Sequence, residues 1–241
     1  MATFLNHKAC PNCGSRDNRG VWDDGSEWCF GCHDYTPPQG EKKIENWLDK
    51  QKSSVFTTIV KLPEDAQAYF PPEVKAWLNK YNLTNEELAK LQPLYSMERE
   101  SLIFPVYAQG ELVMYQERMF GADAKRKYLT TGAKDVLHIL HVGKSPTNEI
   151  VVVEDAVSAC RVSTVMDALP VWGSYLNVRM ANYLATRYAR LRIWLDYDKR
   201  IEAIKQARMF RPLFEQVSTT VTPLDPKEYS HEFIRTMVNE H

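Results

Sequence analysis

Along the last hundred residues, compact apolar runs alternate with longer stretches of mixed character. The runs are Ile150-Val151-Val152-Val153, Leu191-Arg192-Ile193-Trp194-Leu195 and Val217-Ser218-Thr219-Thr220-Val221, with a further one over 169–173. The pattern predicts strands at 150–154, 169–173, 191–196 and 216–222. Helices are predicted at 156–167, 178–189, 199–211 and 227–239. Strands alternating with helices in this way predict a parallel α/β sheet. Upstream, Pro71-Pro72 opens a helix at its first turn, and Thr84-Asn85-Glu86-Glu87 reads as a capped helix start. The runs Leu102–Tyr107 and Leu112–Gln116, joined through Gln109-Gly110, predict a β-hairpin. The first 36 residues carry short aromatic segments around an Asp24-Gly25 turn. Prolines, a glycine and charges from Thr36 to Lys43 mark a linker that we place over 37–56.

Composition adds bounds. The chain has 241 residues, 44% hydrophobic and 25% charged, with a formal net charge of −1. These values fit a globular protein of one large domain or of a small and a medium one. The charge balance neither demands nor excludes a nucleic-acid partner, so the distribution of charge matters more than its sum. No run approaches membrane-spanning length, and the apolar start Met1–Leu5 is too short for a secretory signal. The expectation is a cytoplasmic protein without a membrane partner.

Four of the five cysteines fall within the first 32 residues, as Cys10-Pro11-Asn12-Cys13 and Cys29-Phe30-Gly31-Cys32. Each C-x-x-C pair presents two thiolates from one turn, and two such turns complete a closed tetrahedral Zn²⁺ site. A closed site is structural, and it substitutes for the core that so short a head cannot build. Between and beside the pairs lie Trp22, Trp28 and Phe30, with Arg16, Arg19 and His33. Aromatic and basic groups together suit single-stranded nucleic acid through stacking and phosphate contact. The same aromatics also suit plain packing of the ribbon.

Each apolar run ends in carboxylates: Glu154-Asp155, then Asp196-Tyr197-Asp198, then Asp225 with Glu228. In a parallel sheet these gather on one rim, at the C-terminal strand ends where open α/β sheets place their sites. Clustered carboxylates repel one another unless a cation joins them, and an all-oxygen set suits Mg²⁺. Asp155 also fits a helix cap, since it directly precedes a predicted helix.

Strand–Glu and strand–Asp-x-Asp together resemble the TOPRIM fold shared by DnaG-type primases, topoisomerases and some nucleases. The primase branch is favoured by the Cys₄ head and by Ser101–Val106, Gly110–Val113, Gln116-Glu117-Arg118 and Lys127-Tyr128-Leu129. These are similar to the segment that precedes TOPRIM in primases, and Asp225-Pro226-Lys227-Glu228 resembles a late acidic stretch. Phage primases, and the primase half of phage primase–helicases, look closest.

The resemblance implies an α/β architecture: a TOPRIM-type parallel sheet flanked by helices, after a small mixed α+β subdomain and an N-terminal Cys₄ zinc ribbon. The implied division is a template-binding ribbon over 1–36, a linker over 37–56, an N-terminal subdomain of the RNA polymerase core over 57–147 and TOPRIM over 148–241. The implied activity is synthesis of short RNA primers on single-stranded DNA from ribonucleoside triphosphates. Asp196 and Asp198 would hold Mg²⁺ or Mn²⁺, with Asp225 as an outer ligand. Glu154 would be either a metal ligand or the base for the attacking hydroxyl, and Arg118 and Lys127 would face the nucleotide. No complete G-x-x-x-x-G-K-[ST] P-loop occurs, because Gly143-Lys144-Ser145 has His138 where the leading glycine would stand, so a replicative helicase would be a separate partner or another part of a longer protein. Three departures stand out. Asp155 follows Glu154 where glycine is common, Ser158 stands where an aspartate often sits, and Lys227 replaces a frequent aspartate. The competing readings are a metal-dependent TOPRIM nuclease and an inactive single-strand-binding replisome adaptor.

Overall fold

The computed structural model describes residues 3–32, 34–36, 60–122, 125–133, 136–141 and 148–239. The predicted linker over 37–56 and the candidate nucleic-acid contact His33 lie outside them. Three four-stranded sheets organise the described residues.

The head is an antiparallel sheet of β1 (Phe4–Lys8), β2 (Arg19–Trp22), β3 (Glu27–Cys29) and β4 (Tyr35–Thr36), in sequence order. The turn between β2 and β3 carries Gly25 at φ +78°, a conformation glycine reaches without strain. Asp24 secures it by accepting from the Ser26 backbone at 2.9 Å.

Two helices follow, α1 (Pro72–Lys80) and α2 (Asn85–Leu91). At the start of α2, Thr84 accepts from the Glu87 amide and Glu87 accepts from the Thr84 amide, the reciprocal cap predicted from the sequence. The second sheet is the antiparallel meander β5 (Leu94–Ser96), β6 (Ser101–Ala108), β7 (Glu111–Met119) and β8 (Tyr128–Gly132). The predicted hairpin is its centre, with Leu102 opposite Arg118 and Phe104 opposite Gln116. One face of β6 sends Leu102, Phe104 and Val106 into the core.

The third sheet is parallel throughout. Its strands are β9 (Glu149–Val153), β10 (Asp167–Pro170), β11 (Arg190–Ile193) and β12 (Gln216–Thr219), in the order β10-β9-β11-β12. Helices α3 (Ala156–Val162), α4 (Val178–Ala185), α5 (Arg200–Phe210) and α6 (His231–Asn239) flank it. β9 is buried on both faces, which is why it reads as a continuous apolar run. Val151 and Val153 pack with Ala156, Val157, Cys160 and Ile234 from α3 and α6. Ile150 and Val152 pack with Met180, Leu184, Ala203, Ala207 and Phe210 from α4 and α5. Elements end earlier than periodicity predicts: α3 stops at Val162 and β11 at Ile193.

A buried ion pair fastens the helical layer to the parallel sheet. Arg161 on α3 and Glu87 on α2 are both buried, with Nε donating to Oε1 at 2.8 Å. Arg161 also donates to the carbonyls of Tyr229 (2.6 Å), Asn82 (3.3 Å) and Tyr81. A buried charge survives only when satisfied this fully, and the result fixes α1 and α2 relative to the rim of the sheet.

Candidate active site and zinc centre

The sheet order sets the place of the site. From β9 the chain crosses to β10 on one side and returns to β11 on the other, so the switch point lies between β9 and β11. Glu154 follows β9 and Asp196 lies just beyond β11, where such sheets bind ligands. The two are tied directly, the Asp196 amide donating to Glu154 Oε1 at 3.2 Å.

Both line a cavity of about 380 Å³. The antiparallel sheet supplies the facing wall with Gln116, Arg118, Lys127 and Tyr128, while α1 adds Trp77 and Lys80. Trp172 and Gly173, beyond β10, form one side, and Asp155, Asp225, Lys227 and Glu228 complete the floor. Trp172 sits at φ +55°, a left-handed conformation rare for a bulky residue and of a kind that gathers at functional sites.

Charge is sorted within this cavity. Lys80 pairs with Glu228 at 2.9 Å. Lys227 is buried and pairs with Asp155 at 2.7 Å and Asp225 at 2.8 Å. Burial opposes the Lys227 charge, but Asp155 and Asp225 outweigh it and hold the ammonium well above the usual lysine range. Glu154 and Asp196 have no ion-pair partner among the described residues, and Asp196 Oδ1 is buried with no hydrogen-bond partner there. Burial, then the charges of Asp198 and Asp155, push Glu154 up to about 7. Burial, then Glu154, push Asp196 up to about 7. Arg118 and Lys127, in the same cavity lining, likewise have no ion-pair partner among the described residues. The Arg118 guanidinium lies 4.7 Å from the Trp77 ring, 5.2 Å from Phe120 and 5.6 Å from Tyr128. It also donates to the Tyr128 hydroxyl at 3.1 Å. This aromatic cage holds the cation in one orientation.

Of the sequence-derived candidates, Glu154, Asp196, Asp225, Arg118 and Lys127 thus meet in one cavity. Asp198 does not line it: its carboxylate is 70% exposed and bonds Lys199 at 2.8 Å. The turn of 3₁₀ helix at Tyr197–Lys199 carries it away from Asp196. Asp155 is the cap of α3, accepting from the Val157 and Ser158 amides at 2.9 Å each. Trp77, Tyr128, Trp172 and the role of Lys227 were missed by sequence reasoning. Lys227 alone left a signal, as a cation inside an otherwise acidic motif.

In the head, the four cysteine sulfurs lie within 4.8 Å of one another. The pairs Cys10–Cys32 and Cys13–Cys29 are each separated by 3.7 Å. A tetrahedron with Zn–S bonds of about 2.3 Å has edges of roughly 3.8 Å, so the four thiolates fit a closed structural zinc site. Arg19 corrects the sequence reading. It is not a surface cation for phosphate: it is buried, bonded to Glu27 at 2.6 Å and to Asp34 and Thr36, with Nη1 3.6 Å from Cys10 Sγ. There it offsets thiolate charge inside the ribbon. Arg16 is exposed, as is Phe30. Trp22, Trp28 and Phe30 line a second cavity, of about 280 Å³, against Tyr175 and Arg179 beside α4. Tyr35 closes one end, its hydroxyl accepting from Asn182 at 3.0 Å.

Comparison with solved structures places this architecture. Residues covering 98% of the chain superpose on 79% of the zinc-binding and RNA polymerase domains of the Aquifex aeolicus primase, with a TM-score of 0.57 and 13% identity. The chain has a primase fold. A second similar structure is the primase fragment of the bacteriophage T7 primase-helicase protein, at 18% identity and a TM-score of 0.45, covering 99% of this chain and 96% of that one. In sequence, 42 residues are 48% identical to a DNA helicase/primase of Enterobacteria phage T3, spanning 17% of this chain and 7% of that protein. No family model matches. Among the described residues no helix is long and apolar enough to cross a membrane.

Proposed function

We propose that this chain is a DNA primase of the phage type, which joins ribonucleotides on a single-stranded DNA template by Mg²⁺- or Mn²⁺-dependent nucleotidyl transfer. One observation carries the reading: two carboxylates and two cations, none with an ion-pair partner among the described residues, line one cavity at the switch point of the sheet. A metal–triphosphate complex is complementary to that arrangement, with its ion toward Glu154 and Asp196 and its phosphates toward Arg118 and Lys127. The partnerless Asp196 Oδ1 and the all-oxygen donor set fit a hard divalent cation.

Bound there, the ion would neutralise charge developing on the transferred phosphoryl group and the leaving pyrophosphate. The remaining work falls to the chain itself. Asp196 and Glu154 would hold the ion, both carboxylates being ionised by it. Arg118, locked in its aromatic cage, fixes the phosphates with a planar fork of donors. Lys127 adds a mobile positive charge at the mouth. Trp77 and Trp172 add aromatic surface to the cavity lining.

Template contact falls to the head and the end of α4 beside it, where Trp22, Trp28 and Phe30 offer stacking surface and Arg16 of the head and Arg179 of α4 offer charge. A helicase partner and a place of work in the host cytoplasm belong to the same reading.

The test is dinucleotide synthesis from ribonucleoside triphosphates with single-stranded DNA and Mg²⁺, comparing the parent with Asp196→Ala. Synthesis by the parent and none by the variant is expected. Unchanged synthesis in the variant removes Asp196 from the mechanism, and nicking of DNA without synthesis assigns the cavity to a nuclease.

A further inference from the structure

Five carboxylates line the cavity: Glu228 pairs with Lys80, and the other four form two groups, Glu154 with Asp196 and Asp155 with Asp225. The second pair already shares a cation belonging to the chain. Lys227 is buried, and its Nζ lies 2.7 Å from Asp155 and 2.8 Å from Asp225. We propose that Lys227 is a built-in counterion occupying the Asp155–Asp225 half of the acidic floor, so that the core binds one divalent ion, at Glu154 and Asp196, and not two. This rests on the metal-dependent reading of the cavity given above.

An ammonium on hydrogen-bonding terms with both carboxylates fills the space between them and takes up their lone pairs. A divalent ion entering there would stand beside a fixed positive charge in a partly desolvated site, where like-charge repulsion is weakly screened. Lys227 is also held from behind, because its backbone lies in the 3₁₀ turn Pro226–Glu228, which a reciprocal cap between Asp225 and Glu228 closes. Asp155 is committed too, since it caps α3 while it pairs with Lys227. Glu154 and Asp196 carry no such commitments to a cation. The lysine in the late motif is thus a change in the metal count of the site, compensated within the chain.

The experiment is Mn²⁺ titration of the zinc-loaded full chain, followed by calorimetry and by the paramagnetic resonance of free Mn²⁺. The parent is expected to bind a single Mn²⁺. Asp196→Asn is expected to weaken that binding by more than about tenfold, the least that loss of a direct ligand costs. Asp225→Asn is expected to change it by less than about threefold, below even the usual effect of an outer partner. Lys227→Ala, which frees Asp155 and Asp225, is expected to gain a second, weaker Mn²⁺. Two ions bound to the parent, or binding lost with Asp225→Asn and kept with Asp196→Asn, would overturn the proposal while leaving a metal-dependent site intact. No Mn²⁺ bound by the folded parent would overturn the metal-dependent reading with it.

Discussion

Glu154 and Asp196 make the folded state sensitive to pH in a direction opposite to that of most carboxylates. Both are pushed up to about 7, against ordinary values of 4.5 for a glutamate and 3.8 for an aspartate. The folded chain therefore binds protons more tightly than the unfolded chain between those limits. Stability is at its fullest at the acid end of that window and is lost as pH rises through 7. One pKa unit corresponds to about 1.36 kcal/mol. The two groups titrate as a pair and are partly exposed to solvent, so the expected loss between about pH 5.5 and pH 8 is on the order of 1–3 kcal/mol. A divalent ion reverses that loss. At tenfold its dissociation constant a ligand adds about 1.4 kcal/mol, or roughly 3–6 °C in melting temperature for a chain of this size. The assay is thermal melting at both pH values, with and without Mg²⁺, on the parent and on Asp196→Asn. The parent should melt lower at pH 8 and recover with Mg²⁺. The variant should be flatter with pH, more stable than the parent at pH 8 without metal, and indifferent to Mg²⁺. A parent that gains stability from pH 5.5 to 8 without metal, or a variant that keeps the Mg²⁺ response, would refute the reasoning.

Three further outcomes follow from the geometry. Arg161→Ala leaves the buried Glu87 carboxylate with only the Thr84 amide at 2.8 Å and the His231 ring 3.2 Å away and should cost about 3–5 kcal/mol in urea denaturation; a loss below about 1 kcal/mol would show that the pair does not hold the layers together. Arg118→Ala removes charge-assisted bonds worth about 1.5–3 kcal/mol, so KM for ribonucleotides should rise roughly tenfold or more while Mn²⁺ binding stays unchanged. Cys29→Ser should abolish the stoichiometric zinc and loosen the head, read by metal analysis and by Trp22 and Trp28 fluorescence, while the core melts as before.

Much of this architecture was legible in the chain because its signals are local. β9 is an unbroken apolar run, the Thr84–Glu87 cap is contiguous, and two C-x-x-C turns identify their metal without knowledge of the fold. The carboxylate rim was legible for a different reason: parallel strands must end on the same side, so acidic strand ends converge whatever the detail. What the sequence hid depends on side-chain direction and on burial. The Asp196-x-Asp198 spacing places both residues on one face only if the strand continues. β11 ends at Ile193, and the 3₁₀ turn that follows turns Asp198 toward Lys199 and solvent. Arg19 reads as a surface cation beside aromatics, yet three acceptors and a thiolate draw it inside the ribbon. Trp77 comes from α1, far away in sequence, and reaches the cavity because Val74 and Leu78 seat that helix in the core and Trp77 itself packs on Phe104 and Phe120. Lys227 looked like a departure from an acidic motif, and only the pairing with Asp155 and Asp225 shows what it does.

The central claim is that the cavity between β9 and β11 starts and extends RNA chains. The most direct measurement supplies single-stranded DNA, Mg²⁺ and ribonucleotides labelled at the γ-phosphate, and sizes the products. Chain initiation keeps the label on the first nucleotide, so the account predicts short, ribonuclease-sensitive products that carry it, and their disappearance with Glu154→Gln. Labelled pyrophosphate or phosphate released with no labelled oligomer, or labelled oligomers made equally well by Glu154→Gln, would contradict it.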